Sequence, residues 1–536
     1  MRDHQDGETS KYVVIFAISA IIIAMVLRSV HGDHDSREPP VVHPRIPLIG
    51  HIIGLMTNGA KYWSTLSARY PHPIFTVPML SSRTYVITSP SLASQAQRAS
   101  KTLLFNPLIV EVTGRMVGFD NQTMNILRHK SAKEEGRSVL MDEMHEMIYS
   151  VLSPTEIKDI SVGVLQQLTE CINEVTGSIE TDLFLWVRSQ FTMATTYAIY
   201  GPENPFVMNP SLEEPFWDFE EGLIKLIVGI FPSLTARKAY YGRERCIEGM
   251  IEYIKNERYR KASKLIQERV QLHSRYNISE TQMAKSELGM LFGALVNAGV
   301  TTFWVLNNIF SRPELLAMIR DEIEGKAMSI SSIDGRETRT ISFSALKSTC
   351  PLINSVYRET LRLVAPMSSS RLVTVDTMIA DRYLLRSNSV VQIAGGVIHE
   401  DPSIWGADAA DFNPRRFLTS QSGTRTDISD HNESEGGTGA TAAEKKQVHP
   451  AAFRAFGGGS VFCPGRHFAQ VEIISFVAGV VMAFDLAPPM GTRHIWFDPP
   501  KDEKRIPIGV MKPVKELQVQ IQRRLGMEGM RWVLEL

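Results

Sequence analysis

In the stretch "SRPELLAMIRDEIEG" (Ser311 to Gly325) the apolar residues Leu315, Leu316, Ile319 and Ile323 recur at helical spacing, with charges on the opposite side. That pattern predicts an amphipathic helix. "SNSVVQIAGGVIHED" (Ser387 to Asp401) is β-branched and bounded by turn residues, which predicts a strand. "RIPIGVMKP" near the C-terminus reads as another. Long helical patterns alternate with short strand-like ones along most of the chain, pointing to a mainly α protein with a minor β-sheet region.

The alternation breaks in three places. "YVVIFAISAIIIAMVL" (Tyr12 to Leu27) is uncharged and apolar, and as a helix of roughly 24 Å it spans a bilayer core if its flanks snorkel. The residues before it carry Asp3, Asp6 and Glu8 against Arg2 and Lys11, with no small-residue cleavage site after it. That favours a retained anchor over a cleaved signal peptide. Arg28, Arg37 and Arg45 follow the run, so the positive-inside bias leaves the bulk of the chain in the cytosol. The organisation read from this is a leader at 1–11, a transmembrane anchor helix at 12–28, a proline-rich hinge at 29–50 and a catalytic domain at 51–536. Pro39, Pro40, Pro44 and Pro47 make the hinge a stiff connector. Residues 419–447 collapse into Ser, Thr, Gly, Asp and Glu, a composition that predicts a flexible surface insertion.

Bulk composition changes this picture little. A chain of 536 residues with 43% apolar and 21% charged residues can bury a large core. Its formal charge of −1 gives no global attraction to nucleic acid. Cys171, Cys246, Cys350 and Cys463 show no CxxC or Cys/His metal spacing, which argues against a disulfide framework and for a reducing compartment.

Cys463 stands apart through its setting, "FGGGSVFCPGRHFA" (Phe456 to Ala469). A thiolate that binds metal needs positive potential and N–H donors. A helix opening near Gly465 supplies both through its free N–H groups and dipole. Gly457, Gly458 and Gly459 permit a tight turn with no side chain obstructing a flat ligand, Phe456 can pack beside it, and Pro464 suits a turn leading into a helix. The bland alternative is a buried structural cysteine, as most free cysteines are.

The spacing Phe456-x-x-Gly459-x-x-x-Cys463-x-Gly465 resembles the heme-ligand signature of the cytochrome P-450 family, FxxGxRxCxG. Two further signatures stand in family order. One is "YRETLRL" with Glu359 and Arg362; the other is "FNPRRF" (Phe412 to Phe417) with Arg416, preceded by "HEDPSIWG" (His399 to Gly406). The resemblance implies the cytochrome P-450 fold, mainly α with a minor β-sheet region and an N-terminal membrane-anchor helix. It implies that Cys463 is the axial ligand of heme b iron, with Phe456, Gly459 and Gly465 around the cofactor. It also implies a buried Glu359–Arg362–Arg416 network that braces the fold.

One departure is Val461, where the family carries a basic residue that meets a heme propionate. Arg371 in "SSSRLV" matches a family position with that task, and Arg454 is the other candidate. On the distal side, "GALVNAGVTTFW" (Gly293 to Trp304) matches the family's oxygen-relay run, with Val296 in place of the acid and Asn297 in place of the threonine. Asn297 is the candidate for positioning oxygen; the alternative is a side chain satisfied by its own helix backbone. The asparagine form with its Phe-Trp pair resembles the sterol 7α-hydroxylase and prostacyclin synthase branch. "TMATTYAIYGPENPF" (Thr192 to Phe206) is similar to fungal members that tailor secondary metabolites.

The activity implied is hydroxylation of a lipophilic small molecule, a terpenoid, sterol-like compound or other secondary metabolite, with O2 as co-substrate. The sequence carries no dinucleotide fingerprint and no flavin segment, so the implied electron source is NADPH through a partner, NADPH–cytochrome P-450 reductase. The implied location is the endoplasmic reticulum membrane, single-pass, with "LIKLIVGIFPSL" (Leu223 to Leu234) apolar enough to dip into lipid. Two alternatives stay open: a heme-thiolate isomerase or dehydratase acting on a peroxide without external electrons, and a non-catalytic heme or ligand binder.

Overall fold

The computed structural model describes residues 34–536 apart from 48, 80–81, 129–138, 334, 419–447, 490–495 and 507. The leader, the anchor helix and the 419–447 insertion expected from the sequence lie outside the described residues.

Seven of the helices position the site: α1 (Leu140–Val151), α2 (Lys158–Glu174), α3 (Leu183–Tyr200), α4 (Lys264–Arg275), α5 (Glu280–Phe310), α6 (Pro351–Val364) and α7 (Arg466–Ala483). The axis is α5, whose 31 residues rise about 46 Å. Its second half and nearly all of α7 are mostly apolar and buried on every side. Both are long and apolar enough to cross a membrane, but the apolar windows are 67% and 78% buried inside the protein. They are core helices.

Helix α3 packs along both α2 and α5, while α7 lies against α2 and α5 and α6 against α5. Aromatic rings lock the crossing, with Trp186 and Phe191 of α3 at 5.7 and 5.5 Å from Phe476 of α7. Helix α6 opens on Pro351, whose fixed φ suits a first helical position. It ends at Val364 because Ala365 precedes Pro366 and so takes a non-helical conformation.

Five strands form the largest sheet: β1 (Ile74–Met79), β2 (Ser82–Ile87), β3 (Leu103–Leu104), β4 (Ser368–Val373) and β5 (Val390–Ala394), in spatial order β1-β2-β5-β4-β3. Strand β5 runs parallel to β2 and antiparallel to β4, which sets Arg371 opposite Val391. A second core cluster joins this sheet to Trp405 and Ala452, close to the cysteine loop. With 56% of the described residues helical and only small sheets, the protein is mainly α.

The helix expected over 311–325 is found at Pro313–Lys326, with Leu315, Ile319 and Ile323 buried. Two other expectations need correction. The strand read over 387–401 stops at Ala394, and Gly395–His399 is a short helix. A Cβ at Gly395 would lie 2.2 Å from the Met367 carbonyl oxygen, and one at Gly396 would lie 2.8 Å from Pro366; the glycine pair lets the chain turn where another segment crosses.

"RIPIGVMKP" forms bends instead of a strand. Its donors are spent elsewhere, Val510 N–H on Asn297 Oδ1 at 2.9 Å and Met511 N–H on the Val364 carbonyl at 2.8 Å. Residues 34–47 of the proline-rich stretch hold no helix or strand and lie against β1. Val41 bridges Thr76 of β1, whose N–H and hydroxyl bond the Pro40 and Pro39 carbonyls, both at 2.7 Å. Buried Glu38 accepts from Arg83 and from the Tyr85 hydroxyl at 2.9 Å. Prolines offer carbonyls but no N–H, so the contact stays a single bridge.

Candidate active site

The loop before α7 wraps one sulfur. Gly457 and Gly459 hold φ of 83° and 68°, the left-handed region that favours glycine. At Gly458 and Gly459 an added Cβ would strike Gln97 at 2.5 and 2.8 Å; at Gly465 it would meet only the Cys463 sulfur, at 4.0 Å. The Cys463 N–H closes the loop onto the Phe456 carbonyl at 2.9 Å. Tyr149 of α1 donates its hydroxyl to the Phe462 carbonyl. Helix α7 begins at Arg466 with Gly465 as its cap, so Phe456, Gly459, Cys463 and Gly465 are brought together as one short turn.

The Arg466 N–H and its Nη1 both donate to the Cys463 carbonyl, at 3.4 and 3.1 Å, and the N–H groups of Gly465 and Arg466 favour the charged sulfur. Burial pushes this thiol's pKa up, and those two donors with the Arg466 guanidinium pull it back. Cys463 lies deep in the protein yet is only partly covered, as a side chain lining an internal space would be. Cys246 makes the contrast. It is buried, burial first and the Asp218 charge after it push its thiol to about 12 against the Arg245 charge, and no backbone N–H relieves it. All four cysteines are free. Among the described residues no cluster of three His, Cys, Asp or Glu side chains could hold a metal, so a metal on Cys463 would need its remaining ligands from a non-protein group.

Two buried cations point to the charge of such a group. Arg371 on β4 is 3% exposed and Arg454 is 2% exposed. Neither has a carboxylate partner among the described residues. Arg371 Nη1 bonds only the Ser369 hydroxyl and the Ser370 carbonyl, at 2.8 and 2.9 Å. Arg454 Nη1 reaches the Ala451 carbonyl at 3.5 Å, and its Nη2 has no partner. Burial lowers both to about 10, and the Arg371 charge further lowers Arg454. Two desolvated guanidiniums near one sulfur fit a planar ligand with two carboxylates.

Glu359, Arg362 and Arg416 meet behind the loop. Arg362 grips Glu359 with two bonds of 2.8 Å, and Arg416 Nε reaches Glu359 Oε1 at 2.9 Å. Arg362 also donates to the His399 and Ala409 carbonyls, and Arg416 to those of Trp405 and Asp408. The network continues toward the sulfur, because the His399 ring accepts the Arg454 N–H at 2.8 Å. Burial, then the Arg362 charge, holds His399 down at about 3, so it is a neutral acceptor.

On α5, Asn297 does not bond its own helix backbone. Its Oδ1 takes the Val510 N–H, and a Cβ at Gly509 would fall 2.1 Å from that oxygen. Thr301 and Thr302 return their hydroxyls to the Asn297 and Ala298 carbonyls, at 2.8 and 2.9 Å. Val296 is buried. Asn297 lines a cavity of about 450 Å³ whose wall is largely apolar, including Met116, Phe119, Ile148, Phe292 and Ile508.

Reading by sequence missed Gln97, Tyr149 and the His399 ring. Each acts through a contact between segments far apart in the chain, and "HEDPSIWG" was the one signal that pointed near His399.

The profile of the family described as Cytochrome P450 matches residues 39–521. Cytochrome P450 monooxygenase nodJ of Hypoxylon pulicicidum is 30% identical, over 97% of this chain and 96% of its own. A cytochrome P450 monooxygenase of Gibberella zeae is 30% identical over 98% and 96%. Cholesterol 7-alpha-monooxygenase of Cricetulus griseus is 24% identical over 56% and 57%.

Proposed function

The chain belongs to the cytochrome P450 family and is an oxidoreductase of its monooxygenase type, and on that premise we propose that it hydroxylates a lipophilic terpenoid, sterol-like compound or other secondary metabolite with electrons from an NADPH-dependent reductase. The observation that carries this is the Cys463 sulfur held by a glycine-rich turn at the N-terminal end of α7, together with two buried guanidiniums that have no carboxylate partner among the described residues. Cys463 would hold heme iron as its axial ligand, with Phe456, Gly459 and Gly465 shaping the turn. Arg371 and Arg454 would neutralise the two propionates that Val461 cannot. Bound heme supplies the activation of O2. The residues of this chain do the rest: Asn297 presents an amide at the helix position facing the cavity, and the apolar wall excludes water and orients the substrate.

The apolar cavity and the fungal and cholesterol-oxidising relatives support the substrate class. Membrane attachment is supported by the apolar run at 12–28 and by exposed apolar residues on the described surface. Ile230, Phe231 and Leu234 are 60%, 73% and 78% exposed, and Ile46, Ile49 and Met56 are exposed as well. We place the protein on the endoplasmic reticulum membrane with the 51–536 domain in the cytosol.

The test uses heme-loaded full-length protein in vesicles with and without NADPH and the reductase. Hydroxylated product that requires both supports the reading. Val296 and the tethered Asn297 leave this run of α5 without an acid, which favours one competitor, an isomerase or dehydratase acting on a peroxide. Turnover of a peroxide without reductase would establish that reading instead.

A further inference from the structure

The large apolar cavity has a small neighbour. A second cavity, of about 30 Å³, is lined by the charged residues Glu220, Asp502, Arg505 and Lys512 together with Val296 and Asn297 of α5. Leu223, Phe292, Asn297 and Ile508 line both cavities and so form the wall between them. Among the described residues, Asn297 is the one polar side chain in that wall. It keeps part of its surface open although it lies in the middle of the core helix. Its Oδ1 is taken by the Val510 N–H, and its Nδ2 has no partner among the described residues, which leaves two donors for what fills the cavities. The small cavity has room for about two water molecules, and its polar lining supplies the partners that buried water needs.

The charged side of this cavity is a cluster drawn from three segments. Glu220, in the helix Glu213–Glu221, is 4% exposed. Arg505 Nη2 reaches its Oε1 at 2.9 Å, and Lys512 Nζ bonds its Oε2. Lys512 Nζ also lies 5.5 Å from the Trp217 ring centre, and the Arg188 guanidinium of α3 lies 4.9 Å from the same ring. One carboxylate therefore serves two cations directly, with a third close by. Burial lowers the Lys512 pKa, the Arg505 and Arg188 charges push the same way, and Glu220 opposes them. Such an ammonium releases a proton more readily than an ordinary lysine. Arg505, partly exposed, is the member of the cluster that meets solvent.

A monooxygenase turnover consumes two protons, yet Val296 carries none to give and an amide such as Asn297 is no acid. Thr301 and Thr302 spend their hydroxyls on the α5 backbone. We propose that Lys512, paired with Glu220, supplies these protons through water in the small cavity, and that Asn297 passes them across the wall by positioning that water with its Nδ2 donors. For each proton a Lys512 N–H bond breaks and a water O–H bond forms, the proton moves on along water, and neutral Lys512 regains one from solvent at the Asp502 and Arg505 rim. Overall R–H + O2 + 2 e− + 2 H+ gives R–OH + H2O, with the electrons arriving from NADPH through the reductase. Lys512 and Asn297 act through water, as positioning residues that do not touch the substrate. This rests on the monooxygenase reading above.

Two measurements on the heme-loaded full chain test the route. A crystal structure that shows solvent should place ordered water between Lys512 Nζ and Asn297 Nδ2; a dry small cavity overturns the proposal. O2 uptake driven by NADPH and reductase is then followed in H2O and in D2O, with cholesterol in the vesicles as the probe. Each O2 consumed takes two protons whether it leaves as product and water or as hydrogen peroxide, so the readout depends on no particular product. Lys512→Met should slow uptake about tenfold or more and enlarge the H2O/D2O rate ratio. Adding Val296→Asp, an acid on α5, should bring both back toward wild type, a repair that a merely structural role for Lys512 would not allow. Should Lys512→Met fail to load heme, Glu220→Gln with Lys512→Met removes both charges of the pair and takes its place. Unchanged uptake and isotope ratio, or a loss that Val296→Asp leaves as it is, overturns the route alone. A wild type that consumes no O2 with NADPH and reductase overturns the monooxygenase reading, and the route with it.

Discussion

The amide oxygen of Asn297, in the middle of the core helix, accepts the backbone N–H of Val510 at 2.9 Å. The side chain at the expected oxygen-handling position is thus also the anchor of the 508–511 loop. The two duties separate by substitution. Asn297→Asp keeps an acceptor for Val510 but loses the Nδ2 donors, whereas Asn297→Ala loses both. Hydrogen exchange at Val510 should stay slow in the aspartate variant and rise in the alanine one, with about 1–3 kcal/mol of lost stability there. Hydrogen peroxide released per NADPH should rise in both.

Cys463→Ser removes the soft ligand while leaving the Gly465 and Arg466 donors in place. The reduced CO complex should lose its thiolate-type absorbance and turnover should vanish. A variant that kept both would remove Cys463 from the site.

For Arg371 and Arg454 the predicted effect reverses sign with cofactor. With heme bound, Arg371→Met or Arg454→Met each removes a charge-assisted contact worth about 1.5–3 kcal/mol, so transfer of heme to a scavenger should quicken about tenfold or more. Without heme, Arg454→Met deletes a buried guanidinium that has no carboxylate partner, and the apoprotein should become more resistant to urea. A loss of stability in both states would show that the arginine is a structural element only.

Arg362→Ala leaves Glu359 buried with half its contacts, and about 3–5 kcal/mol should be lost in denaturant titration. Lysine should rescue little, since one ammonium cannot reproduce the two parallel bonds to Glu359 together with those to the His399 and Ala409 carbonyls.

Acid should weaken the protein through His399. Folded, its pKa is held at about 3, below its ordinary 6.5, by burial and by the Arg362 and Arg454 charges. The unfolded chain therefore binds more protons below pH 6.5, so this contribution is complete above that value and is lost as pH falls from 6.5 toward 3. His399→Gln retains an acceptor for the Arg454 N–H but does not titrate. Its stability should fall less steeply in that window, by up to about 1.4 kcal/mol per pH unit, measured by unfolding at pH 7.5, 6 and 5.

The parts legible in the sequence were those encoded locally. Cys463 with its glycines and the Glu359–Arg362 spacing are short-range patterns, and the turn and the helix face they specify are what the chain forms. The acceptor role of His399 and the crowding of Gly458 by Gln97 depend on segments brought together only by folding. The misread strand at 505–513 shows the same limit. An apolar, β-branched run indicates burial, but its neighbour proved to be one asparagine side chain and one helix end, not another strand.

Gly509 passes so close to Asn297 that a single methyl group would collide with the amide. In evolutionary terms the two positions form one unit of inheritance. A lineage that keeps asparagine in the helix cannot drift at 509, and one that reverts to a shorter alcohol there frees the glycine to change. Chimeras that exchange the helix or the tail alone between cousins should therefore misassemble at this crossing, and those that exchange both should not.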